Sequence, residues 1–289
     1  MGIAFASIEY LSERGYLSAD RRRLLDVGTQ NLYHLTLDSA RAFVDNHGGI
    51  SDELEFKTSV DEIALRSRPG NVSNRSWLSE IIDLSNIEYT SFDVCPGLRT
   101  EILDLNRQDL PQKYRDYFDV VLNFGTTEHI FNQFNSYRVM HDALSSGGVF
   151  FHQVPTVGYV DHGYFCYHPL FFKDLALAND YEILDMWYST SGAYPINATI
   201  DFRDALKPNV KNSATIPADA AMPLSAVLNV VMRKLRPSPF RIALELETTH
   251  AGPASQISAL YLGDPVVRAT RSRHLAAELA RRVRARLGF

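Results

Sequence analysis

The chain has 289 residues, and 29 Lys and Arg against 34 Asp and Glu give it a net charge of −5. Hydrophobic residues make up 45% and charged residues 22%, which is typical of globular proteins and argues against a disordered or fibrous chain. The acidic balance makes nucleic-acid binding by the whole chain unexpected. Because it has neither a long apolar run nor a signal-peptide pattern, we expect a cytoplasmic protein without integral membrane association.

Apolar strand patterns alternate with amphipathic helix patterns along the chain. Helices are predicted at 4–17, 36–48, 77–84, 132–144 and after Pro169, and strands at 23–31, 87–93, 100–104, 118–124, 149–154, 181–188 and 226–235. Segment 50–74 is polar and mixed, with Arg-Pro-Gly at 68–70 as a breaker. Gly147 and Gly148 are predicted to cap a helix, and Pro155 to end the fifth strand. This alternation predicts an α/β domain with a largely parallel central sheet flanked by helices.

Polar and glycine residues stand at the ends of four predicted strands. They are Asp26 and Gly28, then Asp93, then Asp104, and finally Asn123 and Gly125. In an open α/β sheet the ligand site lies beyond the carboxyl ends of the strands. A glycine there allows close approach of the backbone to a ligand, while a carboxylate accepts hydrogen bonds, for example from a ribose diol. Taken singly, an Asp-x-Gly is often a simple turn, and an acid after a strand is often a helix cap.

The order of these segments resembles that of class I S-adenosylmethionine-dependent methyltransferases. The matching segments are Leu-Leu-Asp-Val-Gly-Thr-Gln-Asn at 24–31, Phe-Asp at 92–93, Ile-Leu-Asp-Leu-Asn at 102–106 and Phe-Asp-Val-Val-Leu-Asn-Phe-Gly-Thr-Thr-Glu-His-Ile at 118–130. Residues 137–149 resemble that family's helix, glycine turn and fifth strand, and 228–234 resemble a last strand. The resemblance covers about residues 20–190.

The resemblance implies a Rossmann-like fold and S-adenosyl-L-methionine as the cofactor. By position it implies that Asp26 and Gly28 line the methionine and sulfonium end of the cofactor and that Asp93 binds the ribose hydroxyls. Asp104 would bind the adenine amino group, with Leu105 or Asn106 beside the adenine ring. Asn123 and Gly125 would form the floor of the pocket. Three features depart from the family. Gln30 replaces a second glycine, Asp93 follows Asp26 far later than the ~20 residues of dinucleotide folds, and 94–99 is too short for a crossover helix.

The loop after the fifth strand, Val-Asp-His-Gly-Tyr-Phe-Cys-Tyr-His-Pro at 160–169, is rich in His and aromatic residues. We expect His162 to be the catalytic base, because an imidazole accepts protons near neutral pH, and His168 to be the more structural histidine. Together with Glu128, the residues Tyr164, Tyr167 and His168 are predicted to line the substrate pocket. His129 is the competing base, although Glu128 and His129 also fit an ordinary first helical turn.

No metal is expected. His152, Asp161, His162, Cys166 and His168 could suggest a metal site, but their spacing matches no metal-binding motif. The P-loop, Gly-x-Gly-x-x-Gly, Gly-x-Ser-x-Gly and His-Glu-x-x-His motifs are missing as well.

The chain is therefore predicted to form one Rossmann-like domain at 1–265, with an insertion at about 32–86 and a long connection at 190–224. A basic amphipathic helix is predicted at 266–289, where it docks on the domain or contacts an anionic surface or partner. The predicted function is methyl transfer to a small-molecule or saccharide-like acceptor. A nicotinamide-dependent oxidoreductase and a non-catalytic binding or scaffold protein remain alternatives. The missing Gly-x-Gly-x-x-Gly counts against the first, and Gln30 favours the second.

Overall fold

The computed structural model describes residues 2–48, 52–67, 76–159, 162–190, 200–201 and 225–244. In chain order the elements are β1 (Gly2–Ala4), α1 (Phe5–Glu13), β2 (Arg23–Val27), β3 (Asn31–Tyr33), α2 (Leu37–His47), α3 (Glu53–Arg66), α4 (Leu78–Ile82), β4 (Glu88–Asp93), β5 (Thr100–Ile102), β6 (Phe118–Phe124), α5 (Gln133–Ala143), β7 (Leu144–Val157), α6 (Pro169–Asn179), β8 (Tyr181–Thr190), β9 (Ile200–Asp201) and β10 (Ala226–Lys234). Short 3₁₀ turns lie at Gln112–Tyr114 and Thr127–His129.

Eight of these strands form one central sheet in the order β5-β4-β2-β6-β7-β10-β8-β9. The strands from β5 to β7 pair in parallel, whereas β10 is antiparallel to both β7 and β8. After β2 the chain adds β4 and β5 on one side of β2, and then β6 and β7 on its other side. The strand order therefore reverses between β2 and β6. The carboxyl ends of β2 and β6 therefore border the crevice in which open α/β sheets bind ligands.

Side chains of the central strands alternate between two hydrophobic cores. Leu24 and Leu122 belong to the core under the helices α1 to α4, and Leu25 and Val121 belong to the core under α5 and α6. Both faces of the sheet are therefore covered by helices. This confirms the prediction of a largely parallel α/β sheet flanked by helices.

The segment between β2 and β4 contains β3 and three helices. Helix α2 has the predicted cap at Thr36, whose side chain accepts a hydrogen bond from the Ser39 N–H. No helix was predicted in the polar segment 50–74, yet α3 occupies most of it. The Asp52 carboxylate caps the start of α3, and Phe56 and Val60 are among its few buried side chains. A narrow apolar stripe in a mostly charged segment conceals the helical period.

The six-residue link 94–99 joins β4 to β5 without a helix. The two strands are parallel, and they pair only from Ser91 opposite Thr100 to Asp93 opposite Ile102. Because β5 lies beside the last residues of β4, the chain travels back by only a short distance before the new strand begins. A tight loop suffices for this stagger, whereas full-length parallel pairing requires a longer crossover.

Two predicted boundaries around β7 were wrong. Helix α5 ends at Ala143 and the next residue, Leu144, is already extended, so Gly147 and Gly148 lie inside β7 rather than in a helix cap. Their place coincides with a shift in the β6–β7 register, and Gly147 has φ +80°. Strand β7 also continues past Pro155. Pro155 lies opposite a register shift in β10, and a proline, which has no N–H to donate, is tolerated at such an irregularity.

A second, two-stranded sheet pairs β1 with β3 in parallel. Most of the connection 190–224 and all of 266–289, including the predicted basic helix, lie outside the described residues. Where the chain is described, no helix combines the length and apolarity that a membrane span requires.

Candidate functional site

Two turns meet where the strand order reverses. Gly28 follows β2 with φ +92°, and its N–H donates to the Phe92 carbonyl at 2.8 Å. A Cβ atom at Gly28 would lie 2.4 Å from Thr126 Oγ1, so the missing side chain makes room for Thr126. Gln30 Nε2 donates to the Gly28 carbonyl at 3.2 Å and to Thr126 Oγ1 at 3.3 Å. The turns after β2 and β6 are therefore packed directly against each other.

Asp93 ends β4 at the same edge of the sheet. One carboxylate oxygen accepts the Thr29 N–H at 2.9 Å and the other accepts the Cys95 N–H at 3.0 Å. The side chain is half-buried. Since a carboxylate oxygen has two lone pairs, each oxygen retains the capacity for one more hydrogen bond from a ligand.

Asp104 lies beside a surface cleft formed by the loop after β5 and the start of α5. Its Oδ1 accepts the Asn106 N–H at 2.9 Å, and Asn106 Oδ1 accepts the Asn132 N–H at 3.1 Å. The cleft is lined by Asp104, Asn106, Arg107, Phe131, Asn132, Gln133 and Phe134. Of the two residues predicted beside the adenine ring, Leu105 is buried in the core and Asn106 lines the cleft.

Asp26 lies beneath the edge rather than on it. Its carboxylate is fully buried and accepts a hydrogen bond from the Tyr89 hydroxyl at 2.8 Å. Burial raises the pKa of Asp26 well above its usual range. Its Oδ1 has no hydrogen-bond partner among the described residues. The structure thus places the Asp26 carboxylate beside Tyr89, and its contact with the methionine and sulfonium end of a cofactor stays a prediction.

The turn after β6 is held from below by Asn123. Its Nδ2 donates to Thr127 Oγ1 at 2.9 Å, and its Oδ1 accepts the Thr127 N–H at 3.2 Å. Asn123 is fully buried, so it shapes the turn and does not face solvent. Gly125 adopts φ +66° and donates its N–H to the Gln153 carbonyl at 2.9 Å. These contacts fix the direction in which the next three residues leave the sheet.

Glu128, His129 and His162 come together at the end of β6, and we refer to them as the Glu–His–His cluster. The Nε2 atoms of His129 and His162 lie 4.0 Å and 3.8 Å from Glu128 Oε1. The ring centroids of the two imidazoles are 4.7 Å apart. In the sequence His162 and the Glu128–His129 pair are competing candidates, whereas the structure brings all three side chains into one site.

Gly163 allows the loop after β7 to lie directly on Glu128. It has φ +73°, and a Cβ atom there would be 2.9 Å from Glu128 Cγ. The next residue, Tyr164, donates its N–H to the Glu128 carbonyl at 2.6 Å. This contact positions the adjacent His162 over the 3₁₀ turn.

The members of the cluster differ in exposure. Only 1% of the Glu128 side chain is accessible, against 37% for His129 and 45% for His162. Burial raises the pKa of Glu128 to about 7. Glu128 Oε2 has no hydrogen-bond partner in the described part of the chain. Burial, and secondly the neighbouring His162, lower the pKa of His129.

The three other predicted pocket residues occupy different positions. Tyr164 is 70% exposed at the rim, and its ring centroid lies 6.3 Å from that of Phe131. Tyr167 is buried below, and its hydroxyl contacts Thr127 Oγ1 at 3.0 Å and Gln133 Oε1 at 2.6 Å. His168 is exposed and extended immediately before α6, as expected for a residue that precedes a proline.

Several residues that shape the edge are not among those predicted from the sequence. Thr29, Thr126, Thr127 and Gln133 supply the contacts that join the turns after β2, β4 and β6. Their signal was the run of polar residues directly after each apolar strand. The partners of these side chains lie far away in sequence, so the run predicts a turn and not its contacts.

Within the described residues, His152 is not part of a group of possible metal ligands. That ring is buried, with Nδ1 3.1 Å from Asn123 Nδ2, and it stacks on Phe150. Burial lowers the pKa of His152 to about 3. Asp161 lies outside the described residues.

Comparisons with known proteins find structural neighbours only. No protein-family model matches the chain, and no curated protein matches it. A 1,6-didemethyltoxoflavin-N1-methyltransferase from Burkholderia thailandensis, with bound 1,6-didemethyltoxoflavin and S-adenosylhomocysteine, is 11% identical, with 80% of this chain and 77% of that chain covered and a TM-score of 0.40. The [4+2]-cyclase SpnF is 12% identical, with 80% of each chain covered and a TM-score of 0.41.

A third neighbour is a SAM-dependent methyltransferase from Archaeoglobus fulgidus, which is 13% identical, with 78% of this chain and 94% of that chain covered and a TM-score of 0.38. The neighbours thus include S-adenosylmethionine-dependent methyltransferases, the family that the sequence resembles. At these identities the similarity concerns the path of the chain and not its chemistry.

Proposed function

We propose that the protein transfers a methyl group from S-adenosylmethionine to a small-molecule acceptor. The observation that carries this proposal is the position of the Glu–His–His cluster. It lies at the carboxyl end of β6, on the sheet edge that also holds Asp93 and Asp104. The cluster, whose side chains can accept or donate a proton, therefore lies on the same edge as two carboxylates that could bind a nucleoside, Asp93 and Asp104.

The carboxylates at this edge fit a nucleoside cofactor. Asp93 is half-buried and keeps one free acceptor position on each oxygen, which suits two ribose hydroxyls. Asp104 borders the cleft and suits an exocyclic amino group, and Phe131 presents a largely exposed ring in the same cleft. When bound, S-adenosylmethionine supplies a methyl group that is already activated on a sulfonium.

The chain's own residues would then orient the acceptor and accept its proton. The acceptor atom forms a bond to the methyl carbon while the carbon–sulfur bond breaks and its electron pair passes to sulfur. His162 is exposed beside Glu128 and is our choice for the group that takes the acceptor's proton, with His129 as its neighbour. A positioned base contributes ~10²–10⁴-fold to a rate, and alignment contributes further.

One observation favours the alternative of a non-catalytic binding protein. The space above Gly28, expected from the resemblance to face the cofactor, is filled by Thr126. In that alternative the edge keeps its shape without holding S-adenosylmethionine.

Calorimetry with S-adenosylhomocysteine and with NADH tests the proposal. We expect S-adenosylhomocysteine alone to bind, and Asp93→Ala to weaken binding about tenfold or more, since a hydrogen bond to a charged group is worth ~1.5–3 kcal/mol. Asp61→Ala, an exposed acid on α3, is the matched control. Binding of NADH alone would favour the oxidoreductase, and binding of neither would favour the scaffold.

A further inference from the structure

We propose that the Glu–His–His cluster binds a divalent transition-metal ion through Glu128 Oε1 and the Nε2 atoms of His129 and His162. The spacing of these three residues does not indicate a shared metal site, because His162 is distant in the chain from the adjacent Glu128 and His129. The fold brings one ligand atom from each residue within 4.8 Å of the others. Two imidazoles and one carboxylate are a recurring ligand set for catalytic metals.

The separations are close to those of a formed site. Ligand atoms bound at ~2.0–2.1 Å around a tetrahedral zinc ion lie about 3.3 Å apart. The two carboxylate–imidazole separations here are 4.0 Å and 3.8 Å. Both histidines are partly exposed, so small rotations of two surface side chains would close the remaining gap. Glu128 would stay fixed, because Gly163 and Tyr164 lie against it.

The charge of Glu128 also points to a cation. Its carboxylate is almost fully buried, and within the described residues Oε2 lacks a hydrogen bond. Burying a carboxylate without a partner is costly, so without a cation it takes up a proton more readily, whereas a paired cation or a bound metal would stabilise its charged form. Among the described residues, the side chains within ion-pair distance of Glu128 are the two histidines, and neither Lys nor Arg pairs with it.

The donor set selects the type of ion. Imidazole nitrogen suits Zn²⁺, Fe²⁺ and Co²⁺, whereas Mg²⁺ and Ca²⁺ prefer oxygen ligands alone. Three protein ligands leave at least one coordination position open, and the exposed side of the two histidines faces solvent. Resting on the proposed function, that open position would take an oxygen of the acceptor, so hydroxylated or otherwise oxygen-bearing small molecules are the expected substrate class. With His162 engaged as a ligand, the ion would replace it as the activating group: it would lower the pKa of the bound hydroxyl, whose proton would pass to solvent.

Metal titration of the untagged full-length protein tests this inference without any substrate. We expect Zn²⁺ to bind at one ion per chain by calorimetry, Co²⁺ to develop visible absorption at the same stoichiometry, and millimolar Mg²⁺ not to displace either. Glu128→Gln, His129→Ala and His162→Ala should each weaken Zn²⁺ binding by at least ~10-fold, since even loss of an outer ligand contact costs 10–100-fold.

His34→Asn is the matched control. It removes an exposed histidine after β3, where φ is +61° and Asn is tolerated, and should leave Zn²⁺ affinity unchanged. Circular dichroism and thermal melting confirm that each variant is folded. Zn²⁺ binding that is absent, or equal in wild type and all three cluster variants, would overturn the metal site. S-adenosylhomocysteine binding is measured separately. Binding of S-adenosylhomocysteine without binding of Zn²⁺ would refute the metal site and leave the proposed function standing. Binding of Zn²⁺ without binding of S-adenosylhomocysteine would refute the proposed function and leave the metal site standing.

Discussion

The backbone N–H of Thr29 donates a 2.9 Å hydrogen bond to the Asp93 carboxylate. This bond joins the turn after β2 to the end of β4, and the Cys95 N–H occupies the other carboxylate oxygen. Asp93 therefore holds the edge together in addition to being a candidate ligand for a ribose. A substitution there must be judged on stability as well as on binding.

Asp93→Asn should lower the free energy of unfolding by about 1–3 kcal/mol. The amide keeps one acceptor oxygen, but its NH₂ group faces a second backbone donor, so one charge-assisted hydrogen bond is lost. Urea unfolding at pH 7 measures the effect, with Asp61→Asn on the exposed surface of α3 as the control. Equal stability of wild type and Asp93→Asn would mean that the Thr29 contact contributes nothing.

Gly28→Ala should destabilise the protein by about 2–4 kcal/mol. The φ of +92° is unfavourable for any residue with a Cβ, and the new methyl group would lie 2.4 Å from Thr126 Oγ1. Urea unfolding of Gly28→Ala, Thr126→Ala and the double variant separates the two causes. The double variant should be less destabilised than the sum of the single variants, because only the collision is relieved. Strict additivity would contradict the close contact.

Stability should fall on acidification because of His152. Its folded pKa is lowered to about 3 from 6.5, so the unfolded chain binds a proton between these values while the folded protein does not. Stability is therefore fully present above pH 6.5 and is lost as pH falls, by up to about 1.4 kcal/mol per pH unit. Asn123 Nδ2 donates to Nδ1 and thereby favours the neutral ring.

His152→Phe provides the measurement, because the ring still packs on Phe150 but no longer titrates. Urea unfolding at pH 7 and pH 5 should show that the wild type loses about 2 kcal/mol more than the variant over this interval. Carboxylates titrate in both proteins and cancel in the comparison. An equal loss in the two proteins would contradict the lowered pKa.

Lys234→Met should destabilise the fold although the side chain is remote from the candidate site. Lys234 is 1% exposed, and its Nζ donates to the His141 carbonyl at 2.8 Å and the Leu144 carbonyl at 2.7 Å. Removing the ammonium leaves both carbonyls without this donor, at ~1–3 kcal/mol each. Thermal melting should show a clear decrease for Lys234→Met and almost none for Lys57→Met on the surface of α3. Similar melting of both variants would refute the prediction.

Local sequence was sufficient to predict an element wherever its buried residues form a clear apolar pattern or its ends carry clear capping residues. Strand β6 was predicted with its observed bounds, because all of its residues are buried and the sequence is apolar almost throughout. Helix α2 was equally clear, because Thr36 and Gly48 flank it with opposite capping preferences. Helix α3 was missed, since its few buried residues are hidden among charged ones.

The sequence by itself determined the alternation of strands and helices, and with it the sheet edge at which polar residues collect. Tertiary structure alone decided which of those residues meet. Asp26 and Asp93 both end parallel strands, yet Asp26 is buried against Tyr89 while Asp93 remains half-exposed. Glu128 and His162 come from separate strand ends, and they meet because β6 and β7 are neighbours in the sheet. Spacing along a chain specifies which face a side chain takes, but contacts between loops depend on how the strands are ordered, which no local pattern encodes.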